Sequence, residues 1–166
     1  LLMSAWAMEA VLDPVRRAEA LECSSAALEM GEALGDGQLS ARLLNNHFAV
    51  CQTGFVPWAC LEVADRLLSL ARELDDPRWV LFGLCHCVQS RFQSGDVAAV
   101  EASLPEAAAL ATRLRAPAQR WMLASWRGMI SLLHGDLAEA ERQIGEAFEL
   151  GVAANQPDAT DWFLGQ

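Results

Sequence analysis

Glu73-Leu74-Asp75-Asp76-Pro77, Arg113-Leu114-Arg115-Ala116-Pro117 and Ala153-Ala154-Asn155-Gln156-Pro157 form one pattern that recurs at forty-residue intervals. Ala33-Leu34-Gly35-Asp36-Gly37 holds the same phase one period earlier. Ahead of these tails Met30, Leu70, Leu110 and Leu150 share a column, and Ala27, Leu67, Ala107 and Ala147 share another. A third column, Gly31, Ala71, Ala111 and Gly151, is always small. A second landmark divides each unit: Thr53-Gly54, Ser94-Gly95 and His134-Gly135 lie 41 and then 40 residues apart. On this spacing the leading helix of the unit starting at Gly37 is expected to be one residue short. Two landmarks that keep phase over four units define a repeat.

The punctuation sets the helices. Proline at the first helical position gives up only an amide without a helical partner, and its fixed φ suits a helix start. Asp76 before Pro77 has the chemistry of an N-cap. Gly95 and Gly135 suit the left-handed residue that closes a helix. Asp136 then caps the next, with Glu139 placed for a capping box. Leu67, Leu70, Ala71 and Leu74 fall on one helical face, as do Ala107, Leu110, Ala111 and Leu114. The expected leading helices span about 1–11, 38–52, 77–93, 117–134 and 158 onward, and the trailing helices about 14–34, 57–74, 97–114 and 137–153. Connections this short force antiparallel neighbours. No stretch alternates as a strand would. The expected fold is therefore all-α, a solenoid of antiparallel helix pairs forming one domain over 1–166. Its units span about 1–36, 37–76, 77–116 and 117–156, with another beginning at 157–166. Both ends lack the polar caps a solenoid needs. The chain is expected to be part of a longer protein and to self-associate through these ends when isolated.

Composition narrows the function. The formal net charge is −10, from 22 acidic and 12 basic residues, which argues against direct binding of nucleic acid or anionic membranes. No apolar run reaches the roughly 18 residues that span a bilayer, and Leu1-Leu2-Met3 does not read as a signal peptide. Five unevenly spaced cysteines do not make a disulfide framework, so a cytoplasmic location is expected. Every basic residue is arginine, tyrosine is absent and isoleucine occurs only at 130 and 144, a bias that resembles a GC-rich bacterial genome.

Trp121, Arg127, Gly135-Asp136, Ala138-Glu139-Ala140-Glu141, Ala147 and the restart Pro157-Asp158-Ala159 resemble a tetratricopeptide unit. Asp75, Arg91, Gly95 and Asp96 echo it one unit earlier. The forty-residue period is longer than the usual thirty-four of that family. In this respect the chain is similar to the repeat regions of large bacterial signalling regulators, the ATP-binding LuxR-type activators and the ATPases linked to adenylate cyclase domains. The resemblance implies a right-handed superhelix with leading helices on its concave side, and a sensor or scaffold role. It does not carry over ATPase, cyclase or DNA-binding activity, whose motifs this chain lacks.

The sequence carries little recognisable catalytic chemistry. There is no GxxxxGK[ST], HExxH or GxSxG. In Cys85-His86-Cys87, residues two apart on a helix diverge by about 200°, so the thiols cannot converge on one zinc and are expected to be buried packing groups. Asp75-Asp76 reads as helix capping, and His134 as a last-turn residue favoured by the helix dipole. Trp79, Trp121 and Trp162, with Trp126 one turn beyond Trp121, are expected to fill space between neighbouring hairpins, where truncation costs about 3–5 kcal/mol. No cofactor, metal or catalytic group is expected.

Counting back from the mid-unit glycine aligns Asn45, His86 and Trp126 in one column, and Asn46, Cys87 and Arg127 in the next. With Arg91 and Arg120 nearby, Asn45, Asn46, His86, Arg91, Arg120, Trp126 and Arg127 are the candidate binding residues. An arginine fork suits a carboxylate, though salt bridges to a neighbouring hairpin would use the same groups. Two function classes follow. One is a non-catalytic interaction or scaffold module of a bacterial transcriptional or signalling regulator, which holds a protein, a peptide or a domain of its own parent chain on the concave face. The other is a small-molecule receptor with tryptophans as walls between leading helices.

Overall fold

The computed structural model describes residues 1–53 and 57–165, with the side chains of residues 57 and 58 outside that description. The described residues form nine helices and no strand. They are α1 (Leu2–Ala10), α2 (Arg17–Ala33), α3 (Gly37–Thr53), α4 (Pro57–Glu73), α5 (Pro77–Gln93), α6 (Val97–Arg113), α7 (Pro117–Leu133), α8 (Leu137–Ala153) and α9 (Ala159–Gly165). Each of α2 to α8 is 17 residues long, and their starts recur every twenty residues. None is long and apolar enough to cross a membrane.

The repeated stop is a backbone device. Gly35, Asp75, Gly95, Arg115, Gly135 and Asn155 all have φ between +50° and +82°. Each is followed by a residue that begins the next turn into a helix. The amides of Asp76, Asp96, Ala116, Asp136 and Gln156 bond the carbonyls of Ala71, Arg91, Ala111, Ser131 and Gly151 at 2.9–3.2 Å. These six-residue closures satisfy carbonyls that the helix end would orphan. The starts are fixed by side chains. Asp76 accepts from the amide of Arg78, and Asp136 from that of Glu139, as the capping pattern predicts. Asp36 accepts likewise from Leu39. The carboxylate of Glu139 does not close a box. It takes the guanidinium of Arg142 and the amide of Gln143 instead.

Two expectations change. The helix expected from residue 14 begins at Arg17, because Asp13 first makes a tight turn, its carboxylate accepting from the Val15 amide and its carbonyl from that of Arg16. And α3 is not shortened: it has the same 17 residues as α5 and α7. The one-residue offset in the sequence involves Gly54, which lies outside the described residues.

The chain forms two compact units, Leu1–Asp96 and Val97–Gln166. In the first, each helix packs on the next, and α3 also meets α1 and α5. Its core gathers Leu43, Leu44, Phe48, Ala64 and Leu67, all 3% exposed or less. In the second unit α7 lies against α6 and α8, and α9 against α8. Leu104, Ala107, Trp121, Leu123, Trp126 and Ile144 are buried there. The expected columns hold: Ala27, Leu67, Ala107 and Ala147 are buried in turn. The small column has a steric reason. A Cβ on Gly31 would stand 2.2 Å from Leu43, and one on Gly151 2.7 Å from both Trp121 and Ala159. The first column is uneven, since Leu110 is buried but Met30 is 61% exposed.

A left-handed φ costs a non-glycine residue about 1–2 kcal/mol. Gly135→Ala is expected to lower stability by about that amount. Arg115→Gly relieves the same strain while loosening the unfolded chain, so it shifts stability by less and upward. Thermal unfolding of the two variants checks the opposite signs.

Candidate functional site

The register of the repeat brings equivalent positions of consecutive leading helices into contact. In the first unit the Trp79 indole on α5 donates to the Gln38 side-chain oxygen on α3 at 2.9 Å. One face further along, His86 Nε2 donates to Asn45 Oδ1 at 3.0 Å. The His86 ring lies on Phe48 with centroids 3.8 Å apart and planes 12° from parallel. Asn46 turns the other way and donates to Ser4 Oγ on α1 at 2.9 Å. In the second unit the ring of Trp162 on α9 meets Trp121 at 5.3 Å and Trp126, edge on, at 5.8 Å. The column of Asn45, His86 and Trp126 is thus where leading helices touch one another within each unit.

In the next column the α5 member faces a trailing helix. Cys87 on α5 points to α4, where its thiol donates to Asp65 Oδ1 at 3.4 Å. Arg91, one turn on, donates to the same oxygen at 3.3 Å. His86 and Cys87 therefore diverge, as the helical angle requires. Among the described residues no group of three His, Cys, Asp or Glu side chains is placed to hold a metal. Burial pushes the thiols of Cys85 and Cys87 up to about 12, with the Asp65 charge adding to the effect at Cys87.

A constellation that the sequence did not announce surrounds His47 on α3. Ser24 Oγ lies 2.9 Å from Nδ1 and Cys51 Sγ 3.5 Å from Nε2. A nucleophile for catalysis needs access and a lowered thiol pKa. Here Ser24 and Cys51 are 2% and 6% exposed, and burial raises the Cys51 thiol to about 11. The triplet is a packed polar contact between α2 and α3.

Arg120 and Arg127 differ from the other candidates. Both are exposed on α7, and among the described residues neither forms an ion pair. They line a cavity of about 140 Å³ with Leu123 and Ala124 between them, Ala108 and Thr112 of α6 on one side and Leu150 of α8 on the other. The same groove exists in the first unit, between α2 and α4 over α3, with a volume of about 410 Å³. There Ser40, Leu44 and Leu70 stand two periods before Arg120, Ala124 and Leu150, and an ion pair between Arg66 and Glu32 spans the opening. In the second unit Thr112 occupies the Glu32 position and Glu146 the Arg66 position, so that bridge is missing. Glu146 pairs instead with Arg142 on its own helix.

Charge is segregated along the chain in a way that could have been read early. Helices α3, α5 and α7 contain no carboxylate, while α2, α4, α6 and α8 carry most of them. From Ala107 to Gly135 there are four arginines, Arg113, Arg115, Arg120 and Arg127, and no acid in a chain that has 22. Ala108, Thr112, Leu123, Ala124 and Leu150 are the cavity residues that sequence reading missed. The forty-residue alignment with Glu32 and Leu70 is the signal that points to Thr112 and Leu150. No family model and no curated protein matches the chain.

Burial lowers the His86 pKa from 6.5 to about 3, so the native ring stays neutral across that interval. His47 is shifted downward too, by burial and then by the Arg66 charge. The unfolded chain binds protons at these positions below pH 6.5 and the native state does not, so stability is full above that pH and falls as pH drops toward 3. His86→Phe keeps a ring on Phe48 without the titration. It is expected to flatten the acid limb of stability by up to about 1.4 kcal/mol per pH unit, the value of one proton. Urea unfolding at several values between pH 7.5 and 4.5, wild type against variant, measures the two slopes.

Proposed function

We propose that this chain is the tetratricopeptide-like repeat region of a bacterial transcriptional or signalling regulator, a non-catalytic module that binds a peptide or partner domain. The observation that carries the reading is the contrast among the candidate side chains. Asn45, Asn46, His86 and Arg91 are each engaged by a neighbouring helix. Arg120 and Arg127 are exposed beside a cavity and lack a carboxylate of their own. Exposed arginine forks next to small apolar surface are a common recognition element. Stacked helices of equal length, as within each unit, are the frame that repeat proteins use for binding surfaces.

A small-molecule receptor is less well supported, because Trp121 and Trp126 spend their rings on Trp162 and are 8% and 5% exposed. An enzyme is less supported still, since the Ser24 hydroxyl and the Cys51 thiol on either side of His47 are buried.

Panning a displayed peptide library against the native chain is expected to enrich binders that saturate. Replacing both arginines with alanine removes charge-assisted hydrogen bonds of about 1.5–3 kcal/mol each, which corresponds to a tenfold loss or more. The melting temperature should stay close to that of the wild type, since neither side chain is buried or paired. A library without binders, together with a small molecule retained in native mass spectrometry, would replace this reading with the receptor.

A further inference from the structure

The groove over α7 has a definite chemistry, and its ligand class rests on the binding-module reading above. Arg120 and Arg127 are seven residues apart, a rise of about 10.5 Å and a rotation about 20° short of two full turns. Both therefore stand on one face of α7 and are separated along its axis. Between them lie Leu123 and Ala124, with Leu150 at the side. Arg113 and Arg115 add positive charge to the same acid-free stretch.

The reason Arg127 is unpaired is visible one period earlier. Cys87 is its equivalent, and Asp65 on α4 serves that position and Arg91. The residue forty positions after Asp65 is Pro105, inside α6, which offers no carboxylate and no amide. The repeat thus places a cation where the scaffold has withdrawn the anion. The Glu32–Arg66 bridge that spans the first groove is absent from the second as well.

We infer that the α6–α7–α8 groove binds an extended acidic peptide segment, whose two carboxylates, three residues apart, are held by Arg120 and Arg127 while an apolar side chain between them turns to the flank formed by Leu150. Two observations fix the spacing and the occupant. A polyproline II segment advances about 3.1 Å per residue with three residues per turn. Its first and fourth side chains therefore share a face at about 9.3 Å, close to the axial separation of the two arginines. The cavity of about 140 Å³ accommodates one apolar side chain rather than a folded ligand. Charge complementarity selects carboxylates, because each guanidinium presents a planar fork to a planar acceptor.

The test uses the full chain and fluorescein-labelled nonapeptides with a Glu-Pro-Leu-Glu centre, titrated by fluorescence polarisation at two salt concentrations. Companion peptides carry Gln-Pro-Leu-Gln, Lys-Pro-Leu-Lys, or the two acids side by side. Saturable binding of the Glu-Pro-Leu-Glu peptide is expected, weakened at least about tenfold by the glutamine pair, by Arg120→Ala and by Arg127→Ala, and weakened by salt. Arg127→Lys keeps the charge without the fork and should fall between wild type and alanine. The double reversal Arg120→Glu with Arg127→Glu should lose the acidic peptide and gain the lysine peptide. The gain is read as saturable binding by a variant whose melting transition is retained, which separates a changed site from a lost fold. Acidic-peptide binding that the arginine variants leave unchanged overturns the site while leaving the module reading standing. Absence of saturable binding by all four peptides overturns the ligand class, even where the displayed library yields binders elsewhere on the chain.

Discussion

The left-handed residue that ends six of the described helices governs the rest of the fold. Placed at 35, 75, 95, 115, 135 and 155, it stops α2, α4, α5, α6, α7 and α8 after the same 17 residues and turns the chain back within three. A helix of that length is about 25 Å long, and equal lengths keep equivalent faces pointing at equivalent neighbours. The turn from leading to trailing helix uses glycine, at Gly95 and Gly135. The turn from trailing to leading helix tolerates Asp75, Arg115 and Asn155, at a cost the six-residue backbone closure offsets. The register therefore comes from the backbone and does not need a conserved set of large side chains.

Once the register is set, the side chains at each column meet predictable partners. Gln38 and Trp79, Asn45 and His86, and Trp121 and Trp162 are each 41 residues apart and each touch. The chemistry of the pair changes from one level to the next, from hydrogen bond to ring contact, while its place does not. That freedom explains why polar residues can sit on otherwise apolar leading helices. His86 is kept neutral, stacked and hydrogen-bonded rather than exposed for binding.

The fold was legible because its determinants are local. Pro77 and Pro117 mark first helical positions, Asp76 and Asp136 mark caps, and Gly95 and Gly135 mark stops, each for a backbone reason that one residue suffices to express. The site was legible only in part. Arg91 and Arg127 look alike in sequence, both on leading helices of an acidic chain. They differ because Asp65 faces one across a helix pair and Pro105 replaces that aspartate in the next period. Pairing of this kind is a property of two helices and is invisible to periodicity within one. The Ser24–His47–Cys51 contact was missed for the same reason, since its members come from α2 and α3.

A repeat scaffold gives such differences an unusually low energetic cost. Solvent-exposed ion pairs contribute about 0–1 kcal/mol, whereas the packing columns and helix stops contribute far more in sum. Withdrawing the carboxylate opposite Arg127 therefore frees a guanidinium without endangering the frame. The converse holds for the leading-helix contacts: freeing His86 would expose Phe48 and leave Asn45 without its partner, so that column is constrained by the core it closes. Within one architecture, the leading-helix contacts are where sequence change is penalised, and the groove between trailing helices is where it is nearly neutral. A binding surface can arise in that groove, one withdrawn charge at a time.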